Sequence, residues 1–201
     1  AGFALATMSI GWALASIISG RIISRLGYRN TSLLGAGILL SGTLGIAFGE
    51  RFGATGIALA VGATGMGMGF MNNALLITIQ EAVAWGQRGA ATALYLFLRM
   101  MGGTIGVAAL GSLLNATIRS NLTGSPAWRL IHDTQIIDTF NRLLSPAGRV
   151  TLTQPLREAL SSSLASGMHA VFIATVGLAG ACLLLLCFLP AQVPAQRTPA
   201  A

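Results

Sequence analysis

Arg99 carries the most demanding chemistry in this sequence of 201 residues. It stands about ten residues into an apolar stretch, on the order of 15 Å along a helix axis. A guanidinium at that depth in an apolar medium costs several kcal/mol unless a wet cavity or a partner receives it. Arg99 therefore reads as a charge that faces a cavity or pairs with a carboxylate or backbone carbonyl. The plainer reading is an arginine that snorkels or caps a carbonyl inside a bundle. Asn72 and Asn73 pose a similar problem in the preceding apolar stretch. A lone amide in a dry environment is costly. One of them contacts substrate or water, or both hydrogen-bond between helices. Adjacent residues point about 100° apart on a helix, so the two do not share one face. Met66, Met68, Phe70 and Met71 surround these amides. Flexible thioethers and an aromatic ring suit an adaptable apolar pocket, and they suit ordinary packing equally well. As a pocket, Met66, Phe70 and Met71 would take bulky apolar molecules, cations among them.

Other chemistries find little support. His132 falls in a polar segment and His169 at the entrance to the last apolar run, without acids in a ligand pattern. The two cysteines, Cys182 and Cys187, share one apolar run and form neither a ligand cluster nor a disulfide framework. Glu50, Glu81, Asp133, Asp138 and Glu158 all lie between apolar runs or at their edges. Gly111-Ser112 is not a nucleophile elbow, and no Ser–His pairing emerges. The run Gly65-Met66-Gly67-Met68-Gly69 sits inside an apolar stretch, not at a strand-to-helix turn, so it does not read as a phosphate loop. Gly65 and Gly69 are spaced four apart, as are Gly102 and Gly106, which is the spacing of close helix contact in membranes. No enzymatic activity, metal or cofactor is expected.

The elements that position these residues follow from composition. Hydrophobic residues make up 54% and charged residues 8%, and the mean hydropathy is +0.75. Soluble domains carry about 25% charged residues. So few charges cannot cover a water-facing surface, and disorder requires the opposite composition. A polytopic membrane protein remains, with the lipid bilayer as its first partner. The net charge is +7, from twelve basic residues, all arginine, against five acids. The arginines stand mostly at the ends of apolar runs, without interleaved aromatics. They read as headgroup anchors and topology determinants, and no nucleic-acid partner is expected.

Five spans are predicted, over about 1–19, 31–48, 54–79, 89–114 and 167–189. Lipid offers no hydrogen bonds to the backbone, so these are helices despite their glycines. The fold class is all-α, a polytopic helical bundle. The loop over about 115–166 is long and polar. Within it, Ser125-Pro126 opens an amphipathic pattern of Trp128, Ile131, Ile137, Phe140 and Leu144, a helix near the membrane surface. Residues from 156 lead straight into the last span, with Pro155 near the start. A bundle over 1–190 is followed by a proline-rich tail, 191–201, read as disordered. Arg21, Arg25 and Arg29 crowd one short connection, which is the strongest vote for the cytoplasmic side. That places the long loop outside and the tail inside. The chain opens within an apolar run without a basic leader, so a fragment of a longer protein is expected.

The first connection reads Gly20-Arg21-Ile22-Ile23-Ser24-Arg25-Leu26-Gly27-Tyr28-Arg29. It resembles the loop motif G-x-x-x-D-R/K-x-G-R-R/K of the major facilitator superfamily. Gly20, Arg25, Gly27 and Arg29 match, whereas Ser24 replaces the acid and Tyr28 a basic residue. Further along, Gln87-Arg88-Gly89-Ala90-Ala91 leads into Leu98-Arg99-Met100-Met101-Gly102-Gly103-Thr104-Ile105-Gly106. This is similar to the penultimate helix of the fourteen-span drug:proton antiporters, the EmrB/QacA-type subfamily, as is the approach to the last span over 160–172.

The resemblance implies that the five spans are the last five of a second six-helix bundle. The N-terminal half of the transporter, which this chain does not contain, would be its partner. It implies secondary active export of drug-like or toxic small molecules, coupled to protons, at a bacterial plasma membrane. The coupling carboxylates would lie in the other half. Gly20, Arg25, Gly27 and Arg29 would form a gate, and the helix of Asn72 and Asn73 would line the cavity. The alternatives are a facilitator for another solute and a truncated, non-transporting membrane interaction protein.

Overall fold

The computed structural model describes residues 2–49, 53–123 and 154–189. Its regular structure is helical throughout: α1 (Gly2–Ala47), α2 (Gly53–Glu81), α3 (Arg88–Thr123) and α4 (Gln154–Cys187), with a 3₁₀ turn over Trp85–Gln87 before α3. All four helices are long and apolar enough to cross a membrane. The protein is an all-α membrane helical bundle.

α1 is 46 residues long. A straight helix of that length would measure about 69 Å, over twice the hydrocarbon thickness. It is not straight. Gly27 has φ 77 and ψ 169 inside an otherwise helical run. Only glycine takes that conformation without strain, and it breaks the helix there. The contacts of α2 show what the break does. Thr7 reaches Ala58 and Asn73 reaches Ser16, so the first part of α1 runs parallel to α2. Gly35 meets Met71 and Gly67, and Gly42 meets Thr64 and Ala60, so the second part runs antiparallel. The chain reverses at one residue. The connection expected over 20–30 is a break between two helical arms, with Arg21 and Arg25 still on the first arm.

Glycine lets the arms sit directly on α2. A Cβ placed on Gly11 would lie 2.5 Å from the Gly62 carbonyl oxygen, and one on Gly42 would lie 2.6 Å from the Thr64 nitrogen. Gly65 rests on the Met8 backbone and Gly67 on the backbone of Leu39 and Gly35. Lipid is as apolar as the helix surface, so helices are held by this close van der Waals approach and by interhelical hydrogen bonds. Ala15 and Ala58 are buried in the seam with the first arm, and Ala36 and Ala74 are buried as well.

The chain divides into two compact units, one of Ala1–Thr104 and Ala174–Ala201, the other of Ile105–Ile173. The second unit pairs the end of α3 with the start of α4. Gly167 packs against Leu114 and Ile118, and Leu122 and Leu160 are fully buried. α3 continues to Thr123, so 115–123, expected as loop, is helical, and α4 begins at Gln154, two residues before the stretch expected to lead into the last span. Pro155 stands in the first turn of α4, where its lack of an N–H costs nothing. The amphipathic pattern over Trp128–Leu144 and the tail 191–201 lie outside the described residues.

Candidate functional site

The two adjacent amides of α2 serve different helices. Asn73 donates from Nδ2 to the Ser19 hydroxyl oxygen at 2.9 Å and to the Ser16 carbonyl at 3.1 Å. Ser19 is 1% exposed and donates in turn to the Ser16 carbonyl at 2.7 Å. Asn73 thus ties α2 to the first arm of α1. One residue earlier the helix has turned by about 100°. Asn72 faces α3, where its Oδ1 accepts a 2.7 Å hydrogen bond from the Tyr95 hydroxyl. A second staple, from Gln80 Nε2 to Thr92 Oγ1 at 3.0 Å, joins the same two helices.

Tyr95 and Arg99 are four residues apart on α3 and share a face. The Arg99 guanidinium carbon lies 5.4 Å from the centroid of the Trp12 ring on α1. That is a cation–π contact, which offsets part of the cost of a charge at mid-span. Trp12, Asn72, Tyr95 and Arg99 therefore form one constellation across α1, α2 and α3. Sequence reasoning found Asn72 and Arg99 and passed over Trp12 and Tyr95. The available signal was the Tyr95–Arg99 spacing.

The apolar candidates are engaged in helix contacts. The Cγ of Met66 stands 3.2 Å from the Cβ position of Gly11, and Phe70 is buried with its Cβ 3.0 Å from that of Gly35. The Cys182 thiol of α4 donates to the Met71 sulfur at 3.6 Å. Gly65 and Gly69 lie in the α1–α2 seam, Gly69 against Ala15 and the Trp12 carbonyl. A Cβ on Gly102 or Gly106 would meet nothing within 4 Å, so this pair is in no helix contact among the described residues.

A second cluster surrounds the Gly27 break. The Tyr28 hydroxyl donates to the Glu81 carboxylate at the end of α2, at 2.5 Å. This bond pushes the phenol pKa up to about 12, with burial adding to the effect. Arg29 donates to the Cys187 carbonyl at 2.9 Å, at the C-terminus of α4, where unpaired carbonyls and the helix dipole favour a cation. Two residues after the break thus reach the ends of two other helices. Ser24, which stands at the acid position of the loop motif, donates to the Arg21 carbonyl of its own helix at 2.8 Å. Arg25 and Gly20 are exposed. Beyond this cluster, Arg88 lies 4.7 Å over the exposed Trp85 ring, an aromatic–cation pair of the kind that anchors at membrane interfaces. Among the described residues no three His, Cys, Asp or Glu side chains gather to hold a metal.

The chain is similar to transporters. It is 28% identical over 127 residues to "Multidrug transporter protein MdtP" of Bacillus subtilis, a match covering 61% of this chain and 23% of that protein. It is 28% identical over 149 residues to the "Methylenomycin A resistance protein" of Streptomyces coelicolor, covering 65% and 31%. Identity is 26% over 171 residues to "MFS-type transporter clz4" of Cochliobolus lunatus, covering 84% and 28%. The matches thus span between about a quarter and a third of these relatives' own lengths. No family model matches the chain, and no solved structure matches it.

Proposed function

We propose that this chain is the C-terminal part of a major facilitator drug exporter of the EmrB/QacA type, acting by proton antiport in a bacterial plasma membrane. The observation that carries the reading is the similarity of a bundle of spanning-length helices to proteins named for multidrug transport and drug resistance. In such transporters two bundles rock against each other around a midplane site. Trp12, Asn72, Tyr95 and Arg99 would be this bundle's contribution to that site. The described acids Glu81 and Glu158 stand near helix ends, so the coupling carboxylate would be supplied by the complementary bundle. Tyr28 and Arg29 would latch the cytoplasmic ends of the helices in one state and release them in the other.

The test is efflux. The complete protein is expressed in a drug-hypersusceptible bacterial host, and ethidium and rhodamine retention are measured with and without a protonophore. Protonophore-sensitive loss of dye, absent from the vector control, is the expected outcome. Dye loss that ignores the protonophore removes the antiport part, and equal retention with and without the protein removes export of these dyes.

A further inference from the structure

We infer that the Trp12–Asn72–Tyr95–Arg99 constellation binds the anionic end of an aromatic organic acid, a carboxylate on a flat apolar body. The inference rests on the export reading for its cellular role, and on geometry for its chemistry.

Three features carry it. First, the Arg99 guanidinium carbon lies over the Trp12 ring, 5.4 Å from its centroid. The five N–H donors of arginine form a planar fork that matches a carboxylate edge-on. Among the described residues nothing accepts a hydrogen bond from them, and the side chain is exposed. Second, the Tyr95 hydroxyl occupies the Asn72 carbonyl oxygen. That bond takes up the amide's acceptor, and among the described residues its two N–H donors have no hydrogen-bond partner. The site therefore offers donors and a positive charge to an incoming group. Third, Trp12 and Tyr95 supply aromatic walls beside those donors, suited to the face of a flat ring. Arg99 lies about 16 Å along α3 from Arg88, near the depth of a bilayer midplane, where a carboxylate would be received in a low-dielectric setting that strengthens the pairing.

The experiment uses three probes with one body: 2-naphthoate, 2-naphthamide and 2-naphthylmethylammonium. Binding to the complete protein in nanodiscs is read by fluorescence-detected titration, alongside the melting temperature of each variant. Naphthoate is expected to bind at least about tenfold more tightly than the amide or the cation, a difference of about 1.4 kcal/mol. Arg99→Gln removes that preference and Arg99→Lys restores part of it. Trp12→Leu weakens all three probes.

Equal affinities for the three probes in the wild type overturn the inference. So does a naphthoate preference that survives Arg99→Gln. A variant that loses all three probes equally while its melting temperature falls assigns Arg99 to structure, and this too overturns it. The two readings fail separately. Charge-selective, Arg99-dependent binding without efflux sinks export and keeps the site. Dye export without charge selectivity does the reverse.

Discussion

Asn73 and Ser19 meet at 2.9 Å across the seam between α2 and the first arm of α1, and Ser19 is itself buried. The bond joins residues 54 positions apart in the sequence, at the point where the glycine-lined approach of the two helices ends. Interhelical hydrogen bonds in membranes average about 0.6 kcal/mol and reach about 1.7. Asn73 makes two such bonds, so Asn73→Ala is expected to cost about 1–2 kcal/mol. A lowered melting temperature in detergent checks this. Asn72→Ala, which loses only the bond from Tyr95, should melt close to wild type and change transport instead.

Gly67 lies against the backbone of Leu39 and Gly35, which cannot give way as a flexible side chain can. Gly67→Ala should force α2 off the second arm of α1, at about 1–3 kcal/mol. Gly102→Ala meets open space and should be neutral or slightly stabilising, by up to about 1 kcal/mol from helix propensity. Parallel thermal melts of the two variants separate the cases. Arrested transport by Gly102→Ala at normal stability would place that face against another part of the protein.

Gly27 holds a conformation that side chains rarely adopt, at φ 77. Gly27→Ala should cost about 1–3 kcal/mol, and Gly20→Ala, in open space within a helix, should be tolerated. Lower membrane yield of the first variant than of the second is the expected measurement.

Tyr28→Phe removes the hydrogen bond to Glu81 at the protein surface. Exposure and screening keep the effect below about 1 kcal/mol. The folded-state pKa of Tyr28 is raised from 10.0 to about 12. Its contribution is therefore whole below about pH 10 and lost as pH rises through about 12. The melting difference between wild type and Tyr28→Phe should be constant from neutral to about pH 9 and shrink above about pH 10.

The membrane class was legible without coordinates, because low charge and long apolar runs are properties of the sequence alone. A reversal between the first two spans was legible too, since arginines crowded into one short connection mark a place where the chain cannot stay in lipid; that it turns at Gly27 alone was not. The extent of α3 was not. Polar residues at 115–123 read as loop, yet helix continues through them, because a helix does not end where its apolar stretch ends.

Rotation about each helix axis was the larger gap. Spanning helices are apolar on every side, so no stripe in the sequence says which face meets which neighbour. Asn72 and Asn73 were equivalent in the sequence and are opposite in role, one bonded to Tyr95 and the other to Ser16 and Ser19. Arg99 was visible as a charge in need of a partner, but the sequence could not supply Trp12, which lies far away along the chain and is brought near only by packing. Composition and residue type thus determined that these helices span a membrane and that certain polar groups within them need partners. Tertiary structure alone decided the pairings, because they depend on where the backbones cross, and glycine positions such as Gly67 and Gly65 set that distance.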